Sequence, residues 1–238
     1  MERFDLIPYY DWTKEEQYIN YKMKNIDYTW EDIVTYVNIG LNNPFYSVVK
    51  KIKCPDSILV LVNKYNQLDC NYIPDDLEVI DPYFNTGELK LRHEARFAFE
   101  LMCWAAEMEG IHMEAISTFR SYSYQETVYM KNKTPDISME EYQAIRDKVS
   151  ARPGHSEHQT GLAVDINDLE QTFAETPAGK WLAENSYRFG YILRYPKGKE
   201  QITGYDYEPW HFRYLGRGLA TAVYHSKLTY DEYYVRYL

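Results

Sequence analysis

Apolar residues recur along this chain with two distinct periods, and the changes of period divide it into elements. Between Thr13 and about Leu41 the pattern predicts two short helices. Thr29 is placed to cap the second, with Glu31 and Asp32 in its first turn, where the helix dipole favours acids. A polar, proline-containing stretch follows from Asn43 to Asp81. It holds one apolar run of strand length, Ile58 to Val62. From Leu91 to Glu109, the residues Ala95, Phe99, Met102 and Ala106 fall at helical spacing, and Gly110 ends the run. Met113 to Thr118 predicts a strand. Ser121 to Lys133 and Ser138 to Val149 predict helices, the second opened by a capping box of Ser138 and Glu141. Leu162 to Ile166 predicts a short strand. Pro177 to Phe189 predicts a helix with proline at its start and Gly190 after its end. Tyr191 to Tyr195 and Trp210 to Tyr214 predict two more strands, and helices close the chain from about Gly216.

Helices and strands are intermixed without regular βαβ alternation. That predicts an α+β fold, with a small, mainly antiparallel sheet flanked by helices. Residues 1–54 are expected to form a helical N-terminal appendage, and residues 55–238 the main domain. With 238 residues and 45% hydrophobic content, the chain can bury a core. The net charge of -10 argues against nucleic acid or an anionic membrane as partner. No apolar run approaches the ~20 residues of a membrane-spanning helix, and the start, Met1 to Asp5, shows no signal-peptide core. The 25 tyrosines suit clefts that hold polar ligands, although compositional drift explains them equally well. Of the three cysteines, Cys54 and Cys70 could be bridged outside the cytosol; Cys103 has no partner. No Cys-x-x-Cys occurs, which disfavours a thiolate metal site.

The candidate chemistry lies in two segments far apart in sequence, Ser156 to Asp165 and Glu208 to His211. Together they supply imidazoles, a ligand carboxylate and a spare carboxylate, which is the inventory of a catalytic zinc site. On the Leu162–Ile166 strand, Asp165 alternates with the apolar Val164 and Ile166. A lone acid there is more often ion-paired or at an edge; with His158 and His211 available, a bound cation becomes the better account of its burial. Gly161 permits a tight turn between His158 and that strand. Pro209 argues against an HExxH-type helix, so Glu208 is expected on a turn entering the strand, as a general base. His155 is a rival ligand three residues before His158, and His93, His112 and His225 read as structural or surface residues. Arg120, where a strand meets a helix, could bind a substrate carboxylate or an oxyanion, against the commoner alternative of a surface ion pair. Gln125 and Ser156 could add hydrogen bonds to substrate, and Arg194 reads as structural.

These residues carry a resemblance. Ser156, His158, Gly161, Ala163 and Asp165 reproduce S-x-H-x-x-G-x-A-x-D, and Glu208, Trp210, His211, Arg213 and Tyr214 reproduce E-x-W-H-x-R-Y. Both motifs are those of the VanY-like D-alanyl-D-alanine carboxypeptidases, which share a zinc-peptidase fold with the VanX-type dipeptidases and the hedgehog N-terminal domain. Ser117 to Gln125 resembles the family's arginine motif, with Phe119 where tyrosine is expected. The likeness spans about residues 55 to 225. It implies one zinc ion on His158, Asp165 and His211, Glu208 as base, and Arg120 orienting substrate or stabilising the transition state. His155 then drops to second choice. The implied substrates are peptidoglycan stem peptides losing a C-terminal D-alanine, by D,D- or L,D-cleavage. That implies action outside the membrane although no export signal is visible in this sequence, with a leader preceding it, release on lysis, or a role in recycling inside the cell as the alternatives. A dipeptidase or phage-type endopeptidase of the same fold, and a non-catalytic zinc-stabilised binding module, are the competing expectations; the spare carboxylate of Glu208 disfavours the last.

Overall fold

The structure is a computed structural model and describes residues 3–238. Helices α1 (Glu15–Lys24) and α2 (Trp30–Ile39) pack together near the N-terminus. Thr29 caps α2 in a full capping box with Asp32. Tyr18, Ile33, Val34 and Val37 form a small core there, ringed by aromatic residues including Phe4, Tyr10 and Trp30. This cluster is distinct from the main core, while Ile39 at the end of α2 packs with Tyr65 and Ile202 of the main body.

Two strands of two residues each, β1 (Lys50–Lys51) and β2 (Asn66–Gln67), pair in parallel after it. Between them lies the run Ile58 to Val62, and here the structure corrects the expectation: no strand forms. The carbonyls that a strand would offer a neighbour are taken by side chains. Arg213 donates to Ile58 O and Val60 O, and the Tyr230 hydroxyl donates to Leu59 O. The apolar character serves burial, since Val60, Leu61 and Val62 are all inside.

A hairpin of β3 (Leu77–Val79) and β4 (Lys90–Arg92) precedes α3 (His93–Glu107). The helix therefore starts two residues later than its spacing predicts, because Leu91 and Arg92 pair with β3. The chain continues through β5 (Ala115–Ser117), α4 (Tyr122–Met130), α5 (Met139–Arg146), β6 (Ala163–Ile166), α6 (Pro177–Asn185), β7 (Tyr191–Leu193), α7 (Glu200–Thr203), β8 (His211–Tyr214), α8 (Arg217–Ser226) and α9 (Tyr230–Tyr237). The four strands expected at 113–118, 162–166, 191–195 and 210–214 form one antiparallel sheet, ordered β5-β6-β8-β7. The fold is α+β, as its irregular alternation predicts.

The core lies on one face of this sheet. Leu162, Val164, Ile166 and Phe212 meet Phe99 and Met102 of α3 and Leu182 of α6, all fully buried. Burying side chains of this size contributes about 1.5–3 kcal/mol each. Helix α9 closes the other end, touching both α8 and α2. Cys54, Cys70 and Cys103 are free thiols, the first two exposed, so no bridge joins Cys54 to Cys70. Among the described residues no helix is long and apolar enough to cross a membrane.

Candidate active site

The face of β6 opposite the core carries Asp165 into a cleft of about 480 Å³. Asp165 and His211 are direct partners on β6 and β8, the two central strands. His158 reaches the same point from the one-turn helix Glu157–Thr160, which Ser156 caps. Gly161 ends that turn with φ +67, and a Cβ there would sit 2.8 Å from Leu77 Cδ2. Glycine is thus needed both for the backbone conformation and for the close approach that brings His158 back to the strand.

One candidate ligand atom from each of His158, Asp165 and His211 lies within 4.8 Å of the others, and all three residues are buried. Two acceptors set the histidines. His158 Nδ1 faces Thr118 O at 2.7 Å, which leaves Nε2 aimed at Asp165 Oδ2, 3.2 Å away. His211 turns the other way round: Nδ1 lies 3.0 Å from Asp165 Oδ1, and Nε2 faces Glu157 Oε2 at 3.5 Å. His158 Nε2 is buried without a hydrogen-bond partner. A buried nitrogen is costly to leave unpaired. Two imidazoles and one carboxylate converging on one point form a donor set that fits zinc and leaves a position open. The three residues therefore fit the metal that the motifs imply.

Glu208 precedes the turn into β8, its carbonyl accepting from His211 N at 3.2 Å. Its Oε2 lies 3.8 Å from His211 Nδ1, and the side chain is 12% exposed. Burial lifts this carboxyl to about 8 against the pull of His211. Burial lowers His158 to about 4, with Arg120 adding to the effect. Burial would also lower His211, but hydrogen bonds to Asp165 and Glu157 outweigh it and raise the ring to about 9. Asp165 is held well below the usual carboxylate range, because His158 and His211 outweigh its burial. Neighbouring groups are thus driven in opposite directions within a few ångströms, a pattern that recurs at functional sites.

Arg120 lies beside the same group, with Nη2 3.6 Å from Asp165 Oδ2. Its Nη1 donates to Gln125 Oε1 at 2.9 Å, while Nε is buried without a partner. Gln125 is occupied at both ends, since its Nε2 donates to Ala151 O at 2.8 Å. It braces Arg120 from inside the cleft wall. Ser156 also lines the cleft, its Oγ accepting from His158 N. His155 stands apart: Nδ1 faces Asn63 O at 2.8 Å and the ring lies edge-on to Tyr46. His93 and His112 face Glu78 and Glu107 in the open, and His225 packs against Tyr187 and Tyr224.

Sequence reasoning passed over Glu157. It is fully buried, and its Oε1 accepts from Arg194 Nε at 2.7 Å and Arg213 Nη1 at 2.9 Å. Burial raises this carboxyl, and Arg194, Arg213 and His211 together overcome that and hold it below its ordinary range. Its only local signal was an acid beside a candidate ligand histidine, because both arginines lie on later strands or their ends.

The profile of the VanY family, D-alanyl-D-alanine carboxypeptidase, matches residues 88–217, more than half of the chain. A putative carboxypeptidase of Bacillus subtilis, YodJ, is 39% identical over 211 residues, covering 82% of this chain and 76% of the relative. Among solved structures, the LdcB LD-carboxypeptidase superposes with a TM-score of 0.72 at 38% identity, covering 82% of this chain and 94% of that one. A VanY D,D-pentapeptidase variant in complex with Zn(II) gives 0.63 at 34% identity, covering 74% and 98%. By its motifs, its fold and these matches, the chain belongs to the VanY family of D-alanyl-D-alanine carboxypeptidases.

Proposed function

We propose that this enzyme is a zinc-dependent carboxypeptidase that removes a C-terminal D-alanine from peptidoglycan stem peptides, and that it holds one zinc ion on His158, Asp165 and His211. The observation that carries this reading is the convergence of three buried ligand atoms next to Glu208 at one end of an open cleft. Zinc bound there would act as a Lewis acid toward the scissile carbonyl and would make water more acidic.

The chain's own residues supply the rest. Glu208 takes a proton on its carboxylate from the attacking water and returns it to the departing amine of D-alanine. The nearby guanidinium of Arg120 favours the ionised form that this role requires. Arg120 presents its guanidinium to the oxygen that becomes negative as the carbonyl turns tetrahedral, or to the substrate's terminal carboxylate. Gln125 fixes the plane of that guanidinium, and Ser156 offers its hydroxyl proton to the cleft. On this reading residues 1–54 are an appendage to a catalytic domain at 55–238, and a peptidoglycan substrate implies action on the outer side of the cytoplasmic membrane.

Incubation with pentapeptide and tetrapeptide stems, with and without a chelator, tests the proposal. Chelator-sensitive release of free D-alanine from at least one stem is expected. Release of the dipeptide D-Ala-D-Ala alone would make it a dipeptidase, and no cleavage of any stem would refute a role in stem trimming.

A further inference from the structure

We infer that Glu157 is a positioning residue for His211, and that the C-terminal helix α9 holds it there through Asp231 and Arg194. The inference rests on the metal site proposed above and adds a requirement to it. The two oxygens of Glu157 have separate uses. Oε1 carries both arginine contacts. Oε2 faces His211 Nε2 at 3.5 Å, and each of these two buried atoms lacks any other partner. A knot serving stability alone would spend the second oxygen on the second arginine, in the two-pronged geometry that guanidinium favours.

A carboxylate against the outer nitrogen of a ligating histidine keeps the proton there. It turns the other nitrogen, with its lone pair, toward the metal. Here that other nitrogen is His211 Nδ1, the one beside Asp165 and Glu208. His158 is fixed by the opposite arrangement, with its Nδ1 on the Thr118 carbonyl. The two histidines thus offer different ring nitrogens, each selected by the acceptor behind it.

The chain of contacts continues outward. Arg194 Nη1 donates to Asp231 Oδ2 at 2.6 Å, and Asn63 Nδ2 donates to Asp231 Oδ1 at 2.8 Å. Asp231 lies in the first turn of α9, whose start is fixed by a capping box of Thr229 and Glu232. Farther along α9, Val235 packs on Ile39, Tyr65 and Ile202, and Arg236 pairs with Glu31 of α2 at 2.9 Å. The orientation of a metal ligand therefore depends on a helix that contributes nothing to the cleft.

Three measurements on the full chain test this. In the zinc-loaded parent protein, nitrogen NMR of His211 is expected to show the proton on Nε2 and the metal on Nδ1. Glu157→Gln is expected to weaken zinc binding about 10- to 100-fold, read by competition with a chromogenic chelator. At saturating zinc it is expected to lower kcat with little change in KM, and to shift the visible spectrum of the cobalt-substituted protein. Asp231→Asn is expected to move the same readouts in the same direction by a smaller factor. Metal on Nε2 of His211 overturns the inference even if Glu157→Gln does not fold. So does a folded Glu157→Gln protein with parental zinc affinity and cobalt spectrum. A parent protein that binds no zinc would instead refute the proposed metal site itself, and this inference with it.

Discussion

Replacing Glu208 with glutamine is expected to make the metal-free protein more stable at alkaline pH while removing most of its turnover. In the fold this carboxyl ionises only near 8, against 4.5 for an ordinary glutamate, because it is buried beside Asp165. At about 1.4 kcal/mol for each tenfold change in acidity, forcing the charge on it costs about 5 kcal/mol. The sign follows from proton counting. Between about 4.5 and about 8 the unfolded chain has released this proton and the folded chain has not, so stability falls as pH rises. The loss is complete above 8. Glutamine does not titrate, so the variant lacks this loss. Urea denaturation of both metal-free proteins at pH 5 and pH 8.5 reads the difference directly. The variant's advantage is expected to be small at pH 5 and to grow by several kcal/mol at pH 8.5. Turnover of stem peptide is expected to fall by about 10²–10⁴, the usual contribution of a positioned general base. A parallel pH dependence in the two proteins would refute the buried-charge argument. Turnover within a few fold of the parent would refute the role of base.

Three further predictions concern the metal ligands and their supports. Because His211 is protonated below about 9 and Glu208 below about 8 in the metal-free fold, zinc uptake at pH 7 is expected to release between one and two protons, and affinity is expected to rise with pH up to about 9. Titration calorimetry in buffers of different ionisation enthalpy counts the protons, and a pH-independent affinity would contradict it. Arg213→Met leaves the carbonyls of Ile58 and Val60 without their donor and Glu157 with one arginine fewer, so a loss of about 3–5 kcal/mol is expected, measured as a lowered Tm. Gly161→Ala forces a side chain into a left-handed turn against Leu77, and is expected to cost more than about 1 kcal/mol and to weaken zinc binding by displacing His158. Unchanged melting and zinc titration curves would show that this turn is not constrained.

The candidate cluster of His158, Asp165 and His211 was legible because its residues sit in short motifs on elements with clear periods. Alternation along β6 set Asp165 opposite the core-facing Val164 and Ile166, and Pro209 kept Glu208 off a helix. All four strands of the main sheet were marked by runs of apolar and aromatic residues. What escaped had no local signature. Leu91 falls four residues before Ala95, so a helical period absorbed it, although it pairs with β3. The run Ile58 to Val62 has strand composition, but its carbonyls serve side chains that arrive from more than 150 residues away. Glu157, Arg194 and Asp231 are spaced 37 residues apart, a distance no helical or strand period links. Contacts of that kind are decided by tertiary packing and become visible only in the folded chain.

The register of β6 against β8 has one more consequence. Asp165 and His211 face each other directly across the two central strands. A slip of one residue in either strand would turn that strand's ligand to the opposite face of the sheet, into the core. With zinc at the proposed site, metal binding would report on strand alignment: a chain that pairs these strands wrongly would lose a ligand and could not be rescued by zinc. Zinc present during folding would reward only the correct alignment, so the same ion would act in catalysis and as a selector of the native pairing.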